Sequence, residues 1–140
     1  MPEHFWKETE KLKKAILSLG ALVEERVQMS IKALETRDGC LAQTVVDDDK
    51  DIDQTEVDIE EECLKLLALY QPVASDLRFI ITVMKVNNDI ERIADLGVNI
   101  AERVLFLCSQ PPIAMPFRFT EMKNMVLNMF GETLDALMHL

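Results

Sequence analysis

From Leu77 to Cys108 an apolar seam steps by three and four without a break: Leu77, Ile80, Met84, Asn87, Glu91, Ala94, Val98, Ala101, Leu105, Cys108. That alternation is the heptad pattern of a helix packed in a bundle, and it leaves the stretch little else to become. A second row, Val83, Val86, Ile90, Ile93, Gly97, Ile100, Val104 and Leu107, runs beside the first. So wide an apolar arc needs cover on two sides: neighbours in its own bundle, and a further layer from more chain or another subunit. Two seam members are polar, Asn87 and Glu91. At about 100° per residue, Glu91, Asp95, Asn88, Asn99 and Glu102 gather on one edge of the apolar face, while Lys85, Arg92 and Arg103 turn towards water. An oxygen-rich strip at the edge of burial, with no cation of its own segment beside it, needs water or a cation from elsewhere, because bare carboxylates are costly to desolvate.

The rest of the chain supplies neighbours. Helix one is predicted from Glu3 to Thr36, with the stripe Leu12, Ala15, Ile16, Leu19, Leu22, Val23, Val27, Ser30, Leu34. Gly20 inside it costs about 1 kcal/mol against Ala, which the length absorbs. Asp38-Gly39 ends the run. Helix two is predicted from Cys40 to Tyr70, with Val45, Ile52, Ile59 and Leu66 at every seventh position and Asp49, Asp53, Glu56 and Glu60 as a second acidic strip beside them. Gln71-Pro72 breaks the chain next, since proline drives the preceding residue out of the α region. Ser75 is a candidate cap for helix three. Asp76 suits a first turn through the helix dipole. Arg78 is expected to pair across the bundle, with contact to a partner protein as the competing role.

A stiff linker over 110–116 leads to a fourth helix from Thr120. Offset by 103 positions, Leu19, Val23, Val27 and Leu34 of helix one fall on Met122, Val126, Phe130 and Leu137, as if a second three-helix unit began there. The expected architecture is all-α: an antiparallel, spectrin-repeat-like three-helix bundle over residues 1–109, the linker, and an additional C-terminal helix in 117–140. Helix four and the second face of helix three lack cover, so a homo-oligomer is expected.

Composition agrees and narrows the function. Apolar residues make up 49% of the 140 positions, with few glycines and eight methionines. A net charge of −10 disfavours nucleic acid and anionic membrane as direct partners. No apolar run is long enough to insert in a membrane, and the charged N-terminus has no secretory core, so a cytoplasmic setting is the default. The three cysteines lack zinc spacing; Cys63 and Cys108 are predicted on apolar faces as buried thiols. His4 and His139 take no role. Met122, Met125 and Met129 are read as core, or as an adaptable binding face or dimer seam. No nucleophile–base pair, phosphate loop or Glu-x-x-His motif is legible, so the expectation is not an enzyme.

Carboxylates four apart share a helix face, so Asp49/Asp53 and Glu91/Asp95 on facing helices offer four hard oxygen donors. With Asn99 or Glu102 added, such a set suits magnesium, manganese or iron better than zinc. The competing reading is a solvated acidic face.

The stretch Val45 to Arg103 resembles the PhoU family. The resemblance rests on Asp49, Asp53 and the row Val45, Ile52, Ile59; on Gln71-Pro72-Val73-Ala74-Ser75-Asp76-Leu77-Arg78; and on Asn88-Asp89-Ile90-Glu91-Arg92-Ile93-Ala94-Asp95 with Asn99-Ile100-Ala101-Glu102. It implies a phosphate-signalling regulator built from two three-helix units. Such a regulator links the components of a phosphate transporter to a membrane sensor histidine kinase and restrains phosphate uptake. It implies a cytoplasmic protein, peripheral at the inner membrane through its partners. It also implies metal-ion clusters (iron, manganese, magnesium or zinc) held by paired Glu(Asp)-x-x-x-Asp motifs, here Asp49/Asp53 and Glu91/Asp95. A second unit would need two more helices, so the expectation is a truncated chain or a half-length form completed by pairing. A metal-free dimerisation module and a carboxylate-bridged metal-binding or storage protein are the alternatives.

Overall fold

The computed structural model describes residues 3–114 and 118–139 and consists, over these, of four helices. They are α1 (Glu3–Thr36), α2 (Gly39–Tyr70), α3 (Ala74–Cys108) and α4 (Phe119–Met138). Each helix expected from the sequence is therefore present. Cross-helix pairs set the directions. Arg26 of α1 meets Asp48 of α2 at 3.1 Å, and Asn87 of α3 meets Glu56 of α2 at 2.9 Å. The first three helices thus run up, down and up. Thr120 of α4 bonds Glu35 at 2.7 Å and Leu134 lies over Gly20, so α4 runs antiparallel on α1.

The core is the apolar stripe of each helix turned inward: Leu12, Ile16, Leu19 and Val23 against Ile52, Ile59, Cys63 and Leu66, closed by Ile80, Val83, Ile90 and Ala94. A second cluster, Ala33, Ala42, Val45, Ala101 and Val104, closes the far end. Burial pushes the Cys63 thiol up to about 12, helped by the Glu62 and Glu60 charges, so it stays protonated.

The turns carry the punctuation. Asp38 caps α2, its carboxylate accepting from Leu41 N–H at 3.0 Å. Arg37 reaches back and donates to the Leu107 and Gln110 carbonyls, both at 2.8 Å, satisfying acceptors that the end of α3 leaves open.

Four expectations are corrected. Ser75 does not cap α3. The cap position is Val73, with no side-chain bond, because the turn after Pro72 enters the helix at Ala74 and leaves Ser75 already inside it. Arg78 does not pair across the bundle: it is exposed and joins no ion pair among the described residues. Cys108 is exposed, since the seam runs out at the bundle end, where its thiol rests 3.5 Å from the Arg37 carbonyl. Met122, Met125 and Met129 are not core but 60%, 63% and 61% exposed. A helix lying on one neighbour buries one stripe, and α4 uses Leu127, Phe130, Leu134 and Leu137 for that.

Gly20 marks where α4 crosses α1. A Cβ there would collide with the Leu134 side chain. Gly20→Leu should therefore lift α4 while leaving the three-helix unit folded. Amide exchange in 119–138 is expected to quicken at least tenfold, with core amides of α1 to α3 unchanged; an unaltered α4 would count against the packing described.

Candidate metal centre

Helices α2 and α3 meet along their acidic edges. Ile52 and Ile59 turn inward from α2, and Ile90 and Ala94 from α3. The intervening carboxylates are thus carried to the lip of the interface from both sides. Asp49 and Asp53 come from α2 and Asp95 from α3. One oxygen of each lies within 4.8 Å of the others. A hard cation bound at about 2.0–2.6 Å holds opposite oxygens some 4–5 Å apart, so the trio fits one ion. With no imidazole or thiolate among them, the donors favour magnesium, manganese or iron.

Electrostatics point the same way. Burial pushes the Asp49 carboxyl up from 3.8 to about 6, and the charges of Asp53, Asp95, Glu91 and Glu102 add to it. Burial and the neighbouring Asp95 and Asp53 raise Glu91 as well. Asp49 Oδ1 is buried and has no hydrogen-bond partner among the described residues. The Arg26 guanidinium goes to Asp48, and Arg92 pairs outward with Asp89 at 3.8 Å. Like charges gathered around an orphaned oxygen form the arrangement that a bound cation would neutralise.

Each residue singled out in the sequence has a definite position. Asp49, Asp53 and Asp95 converge, with Glu91 one turn before Asp95 and half-buried. Asn99 lies one turn beyond, exposed, in a shallow depression shared with Glu102, Arg103 and Phe106. Asp76 and Arg78 lie elsewhere, in a cleft between the starts of α1 and α3. Glu56 belongs to the acidic strip of helix two but was not among the candidate ligands. It is only 8% exposed, and burial together with Glu91, Glu60 and Asp53 raises its carboxyl. The signal was its place in the same acidic strip, seven residues after Asp49.

Fold and site define a class: long antiparallel helices in a bundle with paired carboxylates facing across one seam. Residues 16–104 match the PhoU domain, and the chain belongs to that family. It is 40% identical over 133 residues to a phosphate-specific transport system accessory protein PhoU homolog of Thermotoga maritima, covering 95% of this chain and 55% of that one. It is 30% identical over 129 residues to the phosphate-specific transport system accessory protein PhoU of Escherichia coli, covering 92% of this chain and 54% of that one. The crystal structure of PhoU from Pseudomonas aeruginosa superposes with a TM-score of 0.87 at 38% identity, covering 96% of this chain and 65% of that one. The chain thus spans about half the length of these curated relatives.

Proposed function

We propose that the chain is an accessory regulator of phosphate uptake and phosphate-responsive signalling. It acts by contact with transporter components and a membrane sensor histidine kinase rather than by turnover. The observation that carries this reading is the PhoU domain match over 16–104, with relatives named for a phosphate-specific transport system. Among the described residues no helix is long and apolar enough to cross a membrane, so in this reading any attachment to the membrane runs through partners. The uncovered Met122, Met125 and Met129 stripe supports a homo-oligomer or a further helical layer.

A divalent cation on Asp49, Asp53 and Asp95, with Glu91 beside them, would neutralise the seam and clamp α2 to α3. The contribution of the chain is to hold these oxygens in place and to keep Arg26 and Arg92 away from them.

The test is expression in an Escherichia coli strain lacking its own PhoU. A phosphate-starvation reporter should return towards its repressed level in phosphate-rich medium. An unchanged reporter, with the chain present and helical in the cells, would reject the reading.

A further inference from the structure

The cleft between the starts of α1 and α3 is distinct from the acidic seam. It encloses about 500 Å³, and its walls include Trp6, Lys13, Asp76, Arg78 and Phe79. Trp6 is the only tryptophan of the chain and is 63% exposed. The Lys13 ammonium sits 5.2 Å above the Phe79 ring and 3.4 Å from Glu10, so that pair is internally balanced. Asp76 stands in the first turn of α3, where the helix dipole holds it. Arg78 is left. It is exposed and has no ion-pair partner among the described residues.

The adjoining turn is uncovered too. Gln71 and Ala74 have φ of 46° and 52°, in the left-handed region that costs non-glycine residues energy. Beside them Val73 is 70% and Leu69 65% exposed. Tryptophan and arginine beside apolar surface have the composition of binding hot spots.

We propose that this cleft docks a segment of a partner protein in which a carboxylate stands next to an aromatic or aliphatic anchor. The carboxylate meets Arg78 and the anchor enters between Trp6 and Phe79. Charge decides the sign of the partner. In a chain of net charge −10 an acidic segment is repelled by most of the surface, and within this cleft Arg78 is a cation free of any ion pair among the described residues. A basic segment is drawn to the acidic seam instead. The inference deepens the adaptor reading and rests on it, and the test reads docking with no phosphate phenotype, so the two fail separately.

The test selects binders to the full chain from a random twelve-residue peptide display library and titrates the selected peptides, fluorescently labelled, by polarisation. Selected sequences should carry Asp or Glu within a few residues of an aromatic or aliphatic side chain. Arg78→Gln and Trp6→Ala, both at exposed positions, should each weaken binding at least tenfold while helicity and melting temperature stay unchanged. Five results would overturn the proposal. These are no selected binder, binders without a carboxylate, and affinities indifferent to both variants. The fourth is a Trp6 emission shift produced by phosphatidylglycerol vesicles alone. Doubling of the mass by light scattering that Trp6→Ala abolishes would assign the cleft to a second copy and overturn it equally.

Discussion

Asp49→Asn should raise the melting temperature of the metal-free protein by about 3–5 °C at pH 7.5 and remove the further rise that Mn²⁺ or Mg²⁺ gives the wild type. The two effects have opposite sign and one cause. Asp49 is forced to ionise where burial strips its water and Asp53, Asp95 and Glu91 repel it, and its carboxyl is pushed up from 3.8 to about 6. That displacement bounds the penalty at about 3 kcal/mol; the carboxylate is partly solvated, so screening leaves about 1 kcal/mol. The folded carboxyl holds its proton more tightly than the unfolded one. The stability it confers is fully present below about pH 4 and lost as pH rises through about 6. Asparagine removes the repulsion. It also removes a charged donor from the trio, so the cation loses its hold. For the wild type, a cation at one hundred times its Kd stabilises by about 2.7 kcal/mol. Thermal melts of both proteins, in chelator and in excess Mn²⁺, read all four values. A variant less stable than wild type in chelator, or one that keeps the metal shift, would sink the site.

The fold was legible because a bundle writes itself in one periodicity. The seam from Leu77 to Cys108 specified α3 to within a few residues, and the heptad row Val45, Ile52, Ile59, Leu66 specified α2, whose four members are all buried. What periodicity does not encode is which of two apolar stripes finds a neighbour. On helix α4 Phe130, Leu134 and Leu137 are covered, while Met122, Met125 and Val126 stay out. The sequence also cannot say where a seam runs past the end of its partners, which is why Cys108 was misplaced. Turn geometry hides for a similar reason. Proline marked the break, but the entry of α3 at Ala74 depends on two backbone angles that no residue type announces.

The site was half legible. Spacing put Asp49 with Asp53 and Glu91 with Asp95, and the fold brings Asp49, Asp53 and Asp95 together. Depth was not legible. Glu56 and Asp53 sit in one strip three residues apart, yet Glu56 is buried and Asp53 exposed. The difference is a rotation of some 300°, which carries the later residue past the lip towards the contact with Asn87. Asn99 belongs to the same edge of α3, but it lies a turn past the oxygens that converge.

Asn87 is where a small chemical change should have the largest effect. Its amide is 1% exposed. Nδ2 donates to the Glu56 carbonyl at 2.9 Å, and Oδ1 is buried with no partner among the described residues. Asn87→Asp replaces the donor with a second acceptor and puts a charge in the core. The expected loss at pH 7.5 is about 3–5 kcal/mol, a large part of the roughly 5–15 kcal/mol that holds a domain of this kind together. A protonated Asp can again donate to the Glu56 carbonyl, so its folded carboxyl lies above the unfolded one. The deficit should shrink as pH falls from 7.5 to 5, read from urea unfolding followed by circular dichroism. Asn87→Leu should behave in the opposite way. It removes the orphaned oxygen, and the Glu56 carbonyl keeps its own helix bond. Stability within about 1 kcal/mol of wild type follows. If stability alone had shaped this position, leucine would serve as well as asparagine. The cross-helix bond joins α2 to α3 beside the acidic seam, and the expectation is that it fixes the register that lets Asp49 meet Asp95. The leucine variant should therefore be as stable as wild type yet bind Mn²⁺ several-fold more weakly. Equal affinity would mean that the apolar seam holds the register without help from Asn87.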